Sequence, residues 1–378
     1  MGLEIWKHIV IQFRSKAVTA PLLPNIADGG TLYSIYRSPP QYYCMEIRKI
    51  QVTGGSSYVL SLPKTWIRER NIQKNDPIGV VSQADGTLLI TPNIQYDRTT
   101  KVKEFPLKDY PDPQMLLRSL IGAYISGFTA IKITSAGRIP PKVRQVVRKF
   151  TQMTIGQEVA DEAENSITLK DILNPSEMPF ENTIRRMYVI TKAMYEDAFY
   201  ALEQGKRELA EDVAARDTDV DRLHWLIHRQ FSLIIDNPAL ALKMNITPRM
   251  AATYYQISKT IERVGDHAVL IAESVLVLID KGVDRTLLPK LTDLGAESLE
   301  VFNKCIQAVF SGNITKANQI IVNADGLDPQ YHQFSDVTRK MKAQEAIAVN
   351  QIVQSMHRIT EYSADIAEIL INRLVSDV

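Results

Sequence analysis

The C-terminal half of this chain repeats itself, and that repetition constrains the fold more than any other feature. Ile261 to Glu273 reads Ile-Glu-Arg-Val-Gly-Asp-His-Ala-Val-Leu-Ile-Ala-Glu, and Met356 to Glu368 reads Met-His-Arg-Ile-Thr-Glu-Tyr-Ser-Ala-Asp-Ile-Ala-Glu. His357 falls on Glu262, Arg358 on Arg263, Glu361 on Asp266, and Ile366-Ala367-Glu368 on Ile271-Ala272-Glu273. Upstream, Ala201-Leu202 and Gly205 match Ala308-Val309 and Gly312, and Val220-Asp221 matches Leu327-Asp328. A repeated phrase of this length predicts a supersecondary unit used twice. Apolar residues recur at three- and four-residue steps, as Ile257, Ile261, Val264, Ala268 and Ile271 do, so the unit is helical. Each copy is predicted to hold three helices, over 182–204, 206–235 and 248–280, then over 292–311, 314–342 and 344–376.

Within the first copy, Glu262 and Asp266 stand four apart and project from one helix face. Like charges at that spacing weaken an exposed helix by about 0.2–0.5 kcal/mol. Lys259 and Arg263 nearby, or a bound cation, are expected to offset the repulsion. Asp217 and Asp221 form a second pair at the same spacing on the preceding helix. Hard oxygen donors projecting inward from facing helices are how bundles build multinuclear metal sites. In the second copy the aligned residues are Ala324, Asp328, His357 and Glu361, so one ligand is missing and one is an imidazole. A weaker or mixed site is expected there, with Asp325 a substitute only after a shift around the helix. His224, His228 and His267 stand near these motifs and are candidates to orient the ligands.

Glu262-Arg-Val-Gly-Asp266-His-Ala, followed by Ile271-Ala-Glu273, resembles the signature of the PhoU phosphate-uptake regulators. The resemblance covers roughly the C-terminal half. It implies two tandem three-helix bundles, 181–284 and 285–378, with iron or zinc held in multinuclear clusters by such carboxylate pairs. It also implies action beside the phosphate ABC transporter and its signalling partners.

Residues 45–93 have different chemistry. Ile47, Ile50 and Val52 predict a strand, Gly54-Gly55-Ser56-Ser57 a turn, and Tyr58 to Leu62 a second strand. Pro63 opens a short helix to Arg70, and Ile78–Val81 and Leu88–Ile90 form a hairpin through Asp85-Gly86. Ser61-Leu62-Pro63-Lys64-Thr65-Trp66, then Asn75-Asp76-Pro77-Ile78, resembles the AbrB/SpoVT (MazE-like) swapped-hairpin fold. About fifty residues make a small core, and the resemblance implies a homodimer that intertwines two chains. It also implies DNA contact through Arg48, Lys49, Lys64, Arg68 and Arg70, by phosphate binding with one or two arginines reaching bases. A dimerisation module with a solvated basic edge is the alternative. Such a head on such a body resembles archaeal members of the family.

Between these parts, 94–180 is predicted to be an α/β connector with a helix over Met115–Phe128, a strand at Ala130–Thr134 and a basic helix from Pro141. Residues 1–44 are broken by Pro21, Pro24, Pro39 and Pro40 and are predicted to lie outside any domain, with function beginning at Met45.

A formal net charge of +1 gives no global field for nucleic acid or membrane, so such roles must be local. Cys44 and Cys305, far apart and outside any CxxC pattern, exclude a thiolate zinc site and fit a reducing cytoplasm. No apolar run is long enough to span a bilayer.

The function expected is a cytoplasmic, non-enzymatic regulator of phosphate uptake, with a metal-binding helical body and a DNA-binding head. The alternative is an adaptor that docks on the transporter without touching DNA. A dinuclear carboxylate enzyme is disfavoured, because such sites use Glu-x-x-His on two helices, and Glu262 is followed three later by Gly265 and Glu361 by Ala364.

Overall fold

The computed structural model describes residues 46–82, 86–92, 101–282, 286–339 and 341–376. The expectation for 1–44, and the Asp85 side of the turn in the second hairpin, lie outside these residues. The chain divides into two compact units, Met1–Gln73 and Lys74–Val378. That division falls inside the segment predicted as one head.

The first unit holds strand β1 (Gln51–Thr53), strand β2 (Ser57–Val59) and helix α1 (Lys64–Glu69). β1 and β2 pair antiparallel as a hairpin, with Gly54 and Gly55 at positive φ in its turn. Ile47, Ile50, Val52, Tyr58, Val59 and Leu60 are all exposed. A hairpin and one short helix bury too little surface to cover them.

The second unit opens with an antiparallel hairpin, β3 (Gly79–Ser82) and β4 (Leu88–Thr91). The α/β layer follows: β5 (Val102–Pro106), α2 (Pro113–Ile125), β6 (Ala130–Thr134), α3 (Pro141–Met153), β7 (Gln157–Glu162) and β8 (Ser166–Asp171). Sheet order is β5-β6-β8-β7, with β5 parallel to β6 and the other pairs antiparallel. Phe105, Ile131, Ile133, Ile167 and Leu169 alternate along the strands and form one core with Leu120, Tyr124, Val147 and Phe150 of α2 and α3. The Asp112 side chain caps α2 by accepting from the amides of Gln114 and Met115.

The helical body comprises α4 (Phe180–Gln204), α5 (Arg207–Asp236), the short α6 (Pro238–Lys243), α7 (Pro248–Lys281), α8 (Leu288–Ser311), α9 (Ile314–Thr338) and α10 (Ala343–Ser376). Six of these match the predicted helices, and α4 and α8 both end on a glycine in the left-handed conformation, Gly205 and Gly312. α9 stops at Thr338, short of the expected 342, and carries Pro329 inside it. One continuous core runs through both copies. The copies meet along α7 and α10, where the rings of His267 and Tyr362 lie 5.7 Å apart, and along α4 and α8. At the second contact the Tyr195 hydroxyl donates to the carbonyl of Gly295 at 2.9 Å, and Phe199 packs where a Gly295 side chain would go.

The α/β layer is fastened to α5. Arg229, 2% exposed, donates to Asp171 at 2.6 Å and to the carbonyls of Tyr124 and Phe128. Gln230 donates to the carbonyls of Pro175 and Met178, and Trp225 packs on the sheet core. Among the described residues no helix is long and apolar enough to cross a membrane.

Candidate functional site

Asp217 and Asp221 on α5 face Glu262 and Asp266 on α7, so the four predicted carboxylates come together. Gly265 lies between the two pairs, with room for a methyl group at ordinary contact distance. A Cβ there would lie 3.4 Å from Asp217 Oδ1 and 3.6 Å from Val220. Asp217 Oδ1 is buried and has no hydrogen-bond partner.

The electrostatics follow from that crowding. Burial raises Asp217 to about 6, with the charges of Asp266 and Glu262 adding to it. Burial raises Asp221 to about 7, helped by Asp217, Glu262 and Asp266 and opposed by Lys259. Asp266 is also raised by burial, against the pull of Lys259 and Arg263. Carboxylates that resist ionisation beside one another are short of positive charge, and a multivalent cation would supply it. The donor set is hard oxygen, which suits iron, zinc or manganese held between helices. Among the described residues, however, no three Asp, Glu, His or Cys side chains converge on one point as a finished cage. The Lys259 ammonium holds both oxygens of Glu262, at 2.8 and 2.7 Å.

The histidines serve packing as much as the site. His224, 4% exposed, meets Ser258 Oγ through Nδ1 at 3.0 Å. That hydroxyl already donates to the carbonyl of Tyr255, so Nδ1 carries the proton and Nε2 keeps a lone pair. Burial lowers His224 to about 3, and the charges of Lys259 and His228 push the same way. His228 lies against the Tyr255 ring at 4.3 Å and is also lowered by burial. His267 has a buried Nδ1 without a hydrogen-bond partner and faces Tyr362 across the seam between the copies.

The second copy places its residues together too, but already balanced. His357 Nε2 stands 3.0 Å from Asp328 Oδ1 and 3.8 Å from Glu361 Oε1, and Arg358 donates to Glu361 at 2.8 Å. The ring nitrogen that would face an ion is engaged by a carboxylate. Asp325 is exposed.

In the head, Arg48, Lys49, Lys64, Arg68 and Arg70 are all exposed. Arg48 is tied to Glu46 and to Ser61 Oγ. The Arg229 clamp was not foreseen from sequence. Its one signal is an arginine inside the apolar run from Leu223 to Ile235.

Comparison with known proteins bears on both parts. A PhoU domain model matches residues 184–275 and 291–370. A model described as "Antidote-toxin recognition MazE, bacterial antitoxin" matches 51–97, which takes in Lys64, Arg68 and Arg70 but not Arg48 or Lys49. The "Phosphate-specific transport system accessory protein PhoU homolog" of Clostridium acetobutylicum is 23% identical over 171 residues, 45% of this chain and 76% of that protein. Among solved structures, PhoU from Pseudomonas aeruginosa aligns with TM-score 0.47 and 19% identity, over 53% of this chain and 96% of its own. The phosphate transport system regulatory protein PhoU from Streptococcus pneumoniae aligns with TM-score 0.45 and 20% identity, over 53% and 94%. Both PhoU matches lie on the duplicated helices, and the first takes in all four facing carboxylates. The helical body thus matches the PhoU domain family in both of its copies, and a MazE/AbrB-like segment lies ahead of that body in the sequence.

Proposed function

We propose that this protein is a metal-responsive regulator of phosphate transport whose body binds a multinuclear cation centre at Asp217, Asp221, Glu262 and Asp266. The observation that carries the reading is the set of four facing carboxylates with a buried, unsatisfied Asp217 Oδ1 among them. Asp217, Asp221, Glu262 and Asp266 would hold the metal, which would supply the positive charge that neutralises them. Iron and zinc are the ions favoured. Asp328, His357 and Glu361 in the second copy suit an ion less well, because His357 already occupies Asp328.

The MazE/AbrB-like segment pairs two chains and contacts DNA near phosphate-transport genes. Its exposed Ile47, Ile50, Val52 and Tyr58 are the kind of surface a second copy covers. Lys64, Arg68 and Arg70, with Lys49, supply phosphate contacts.

Fluorescence anisotropy tests this at physiological salt, using the full chain, DNA upstream of its phosphate-transport genes and a scrambled duplex. Selective binding that is lost when 45–93 are deleted, and that changes on adding iron(II) or zinc(II), is the expected result. Equal binding to both duplexes would instead favour the adaptor that docks on the phosphate ABC transporter. Equilibrium dialysis with elemental analysis checks the metal separately. Asp221→Asn with Asp266→Asn should lose the bound ion, and an unchanged metal content would remove these residues from the site.

A further inference from the structure

One cation already sits among the carboxylates of the first copy. Lys259, one turn before Glu262 on α7, places its ammonium on both carboxylate oxygens at once. The exposures of the two side chains differ, 41% for Lys259 and 12% for Glu262. The acid is largely withdrawn from water while the base stands at its solvent edge. An ordinary exposed lysine–glutamate pair contributes little, but a desolvated carboxylate held by two charge-assisted bonds is a stronger contact. The ammonium bonds to both oxygens of Glu262, so an ion shared with Asp217, Asp221 and Asp266 must compete there with its charge and its hydrogen bonds.

We propose that Lys259 is a tethered counter-ion that competes with metal for Glu262, so that a cation enters only by displacing it. The inference rests on the metal reading of the four carboxylates. Lysine suits the task, because its charge rides on a long flexible stem and its head is compact. Leaving Glu262 carries the ammonium outward into water, with no new burial. The second copy shows the contrasting arrangement. There the residue aligned with Lys259 is Gln354, which brings no charge, and the position of Glu262 is taken by His357. The imidazole Nε2 stands 3.0 Å from Asp328 Oδ1, on a side chain shorter than that of lysine. The first acidic cluster therefore carries a charged head on a long stem, and the second an imidazole on a short one. Lys259 sets how much free metal the first needs before it fills.

Competition titration of zinc(II) against a chromophoric chelator, on the full chain, tests this with Lys259→Met and Lys259→Arg. Lys259→Met should bind about tenfold more tightly or better, as expected on removing a charged hydrogen-bonded competitor. Lys259→Arg should bind more weakly, since a guanidinium grips a carboxylate with a planar pair of donors. A second measurement needs no variant. Amine labelling of Lys259, read by mass spectrometry, should rise severalfold in the wild-type protein when zinc is added. Equal finite affinities in all three proteins, or labelling that zinc leaves unchanged, would overturn the role of Lys259 and leave the metal site standing. Absence of zinc binding in all three proteins would sink the metal reading, and this inference with it.

Discussion

At the scale of single residues, His224 gives a sharp expectation. Burial holds its ring neutral, with a value of about 3 in the folded chain against an ordinary value near 6.5. Between those values the unfolded chain binds a proton that the folded chain refuses. The ring therefore contributes stability that is whole above about pH 6.5 and is lost as pH falls toward 3. Asp217 and Asp221 work in the opposite sense, since their raised values favour the folded state as pH drops from about 7 toward 4. A comparison of wild type with His224→Asn separates the two effects, because both proteins keep the carboxylates. The gap in Tm between them should narrow steadily from pH 7 to pH 4.5, and a constant gap would show that the ring does not resist protonation. His224 was visible in the sequence as a neighbour of Asp221, but its bond to Ser258 was not, since it depends on the register between two helices. The spacing of Glu262 and Asp266 did announce that Lys259, Arg263 or a cation must offset their repulsion. Lys259 does so at Glu262.

At the scale of elements, the long helices were legible because their apolar period runs unbroken for several turns and their ends carry glycine or proline. Strand β5 was not, because Val102-Lys-Glu-Phe-Pro106 exposes most of its residues and acquires its place only by pairing with β6. α6 was missed for a similar reason, being a six-residue piece started by Asn237 and Pro238. α9 ends at Thr338, four residues before the expected 342. The contact between α4 and α8 also depends on something the period cannot reveal. A methyl group at Gly295 would stand 2.6 Å from the Phe199 ring, in a buried position braced by Tyr195. Gly295→Ala should cost about 1–3 kcal/mol in urea unfolding, the range for overpacking a filled core. Adding Phe199→Leu should recover part of that loss. If the two changes proved simply additive, the ring would not be what the methyl group meets.

At the scale of the whole molecule, the sequence named the families of both parts, and the MazE match at 51–97 runs across the division between the two compact units. In a single chain the division falls at Gln73, and apolar residues of the first hairpin stay exposed. A hairpin and one short helix give the single chain little core there, so the pattern is legible while the packing is not. The basic residues carry a prediction that belongs at this scale. Lys64→Ala with Arg68→Ala should weaken DNA binding about equally for matched and scrambled sequences and flatten the salt dependence by roughly two phosphate contacts. Arg48→Ala should matter less, because Glu46 already claims part of its charge. An undiminished salt slope in the double variant would assign the contact elsewhere.

The duplication has a consequence for measurement. α7 and α10 are both 34 residues long, rods of about 51 Å lying against one another, and they bear unequal charge at aligned positions. A substitution that removes the acid at Glu262 therefore has, at the aligned His357, a counterpart within the same molecule that removes no acid.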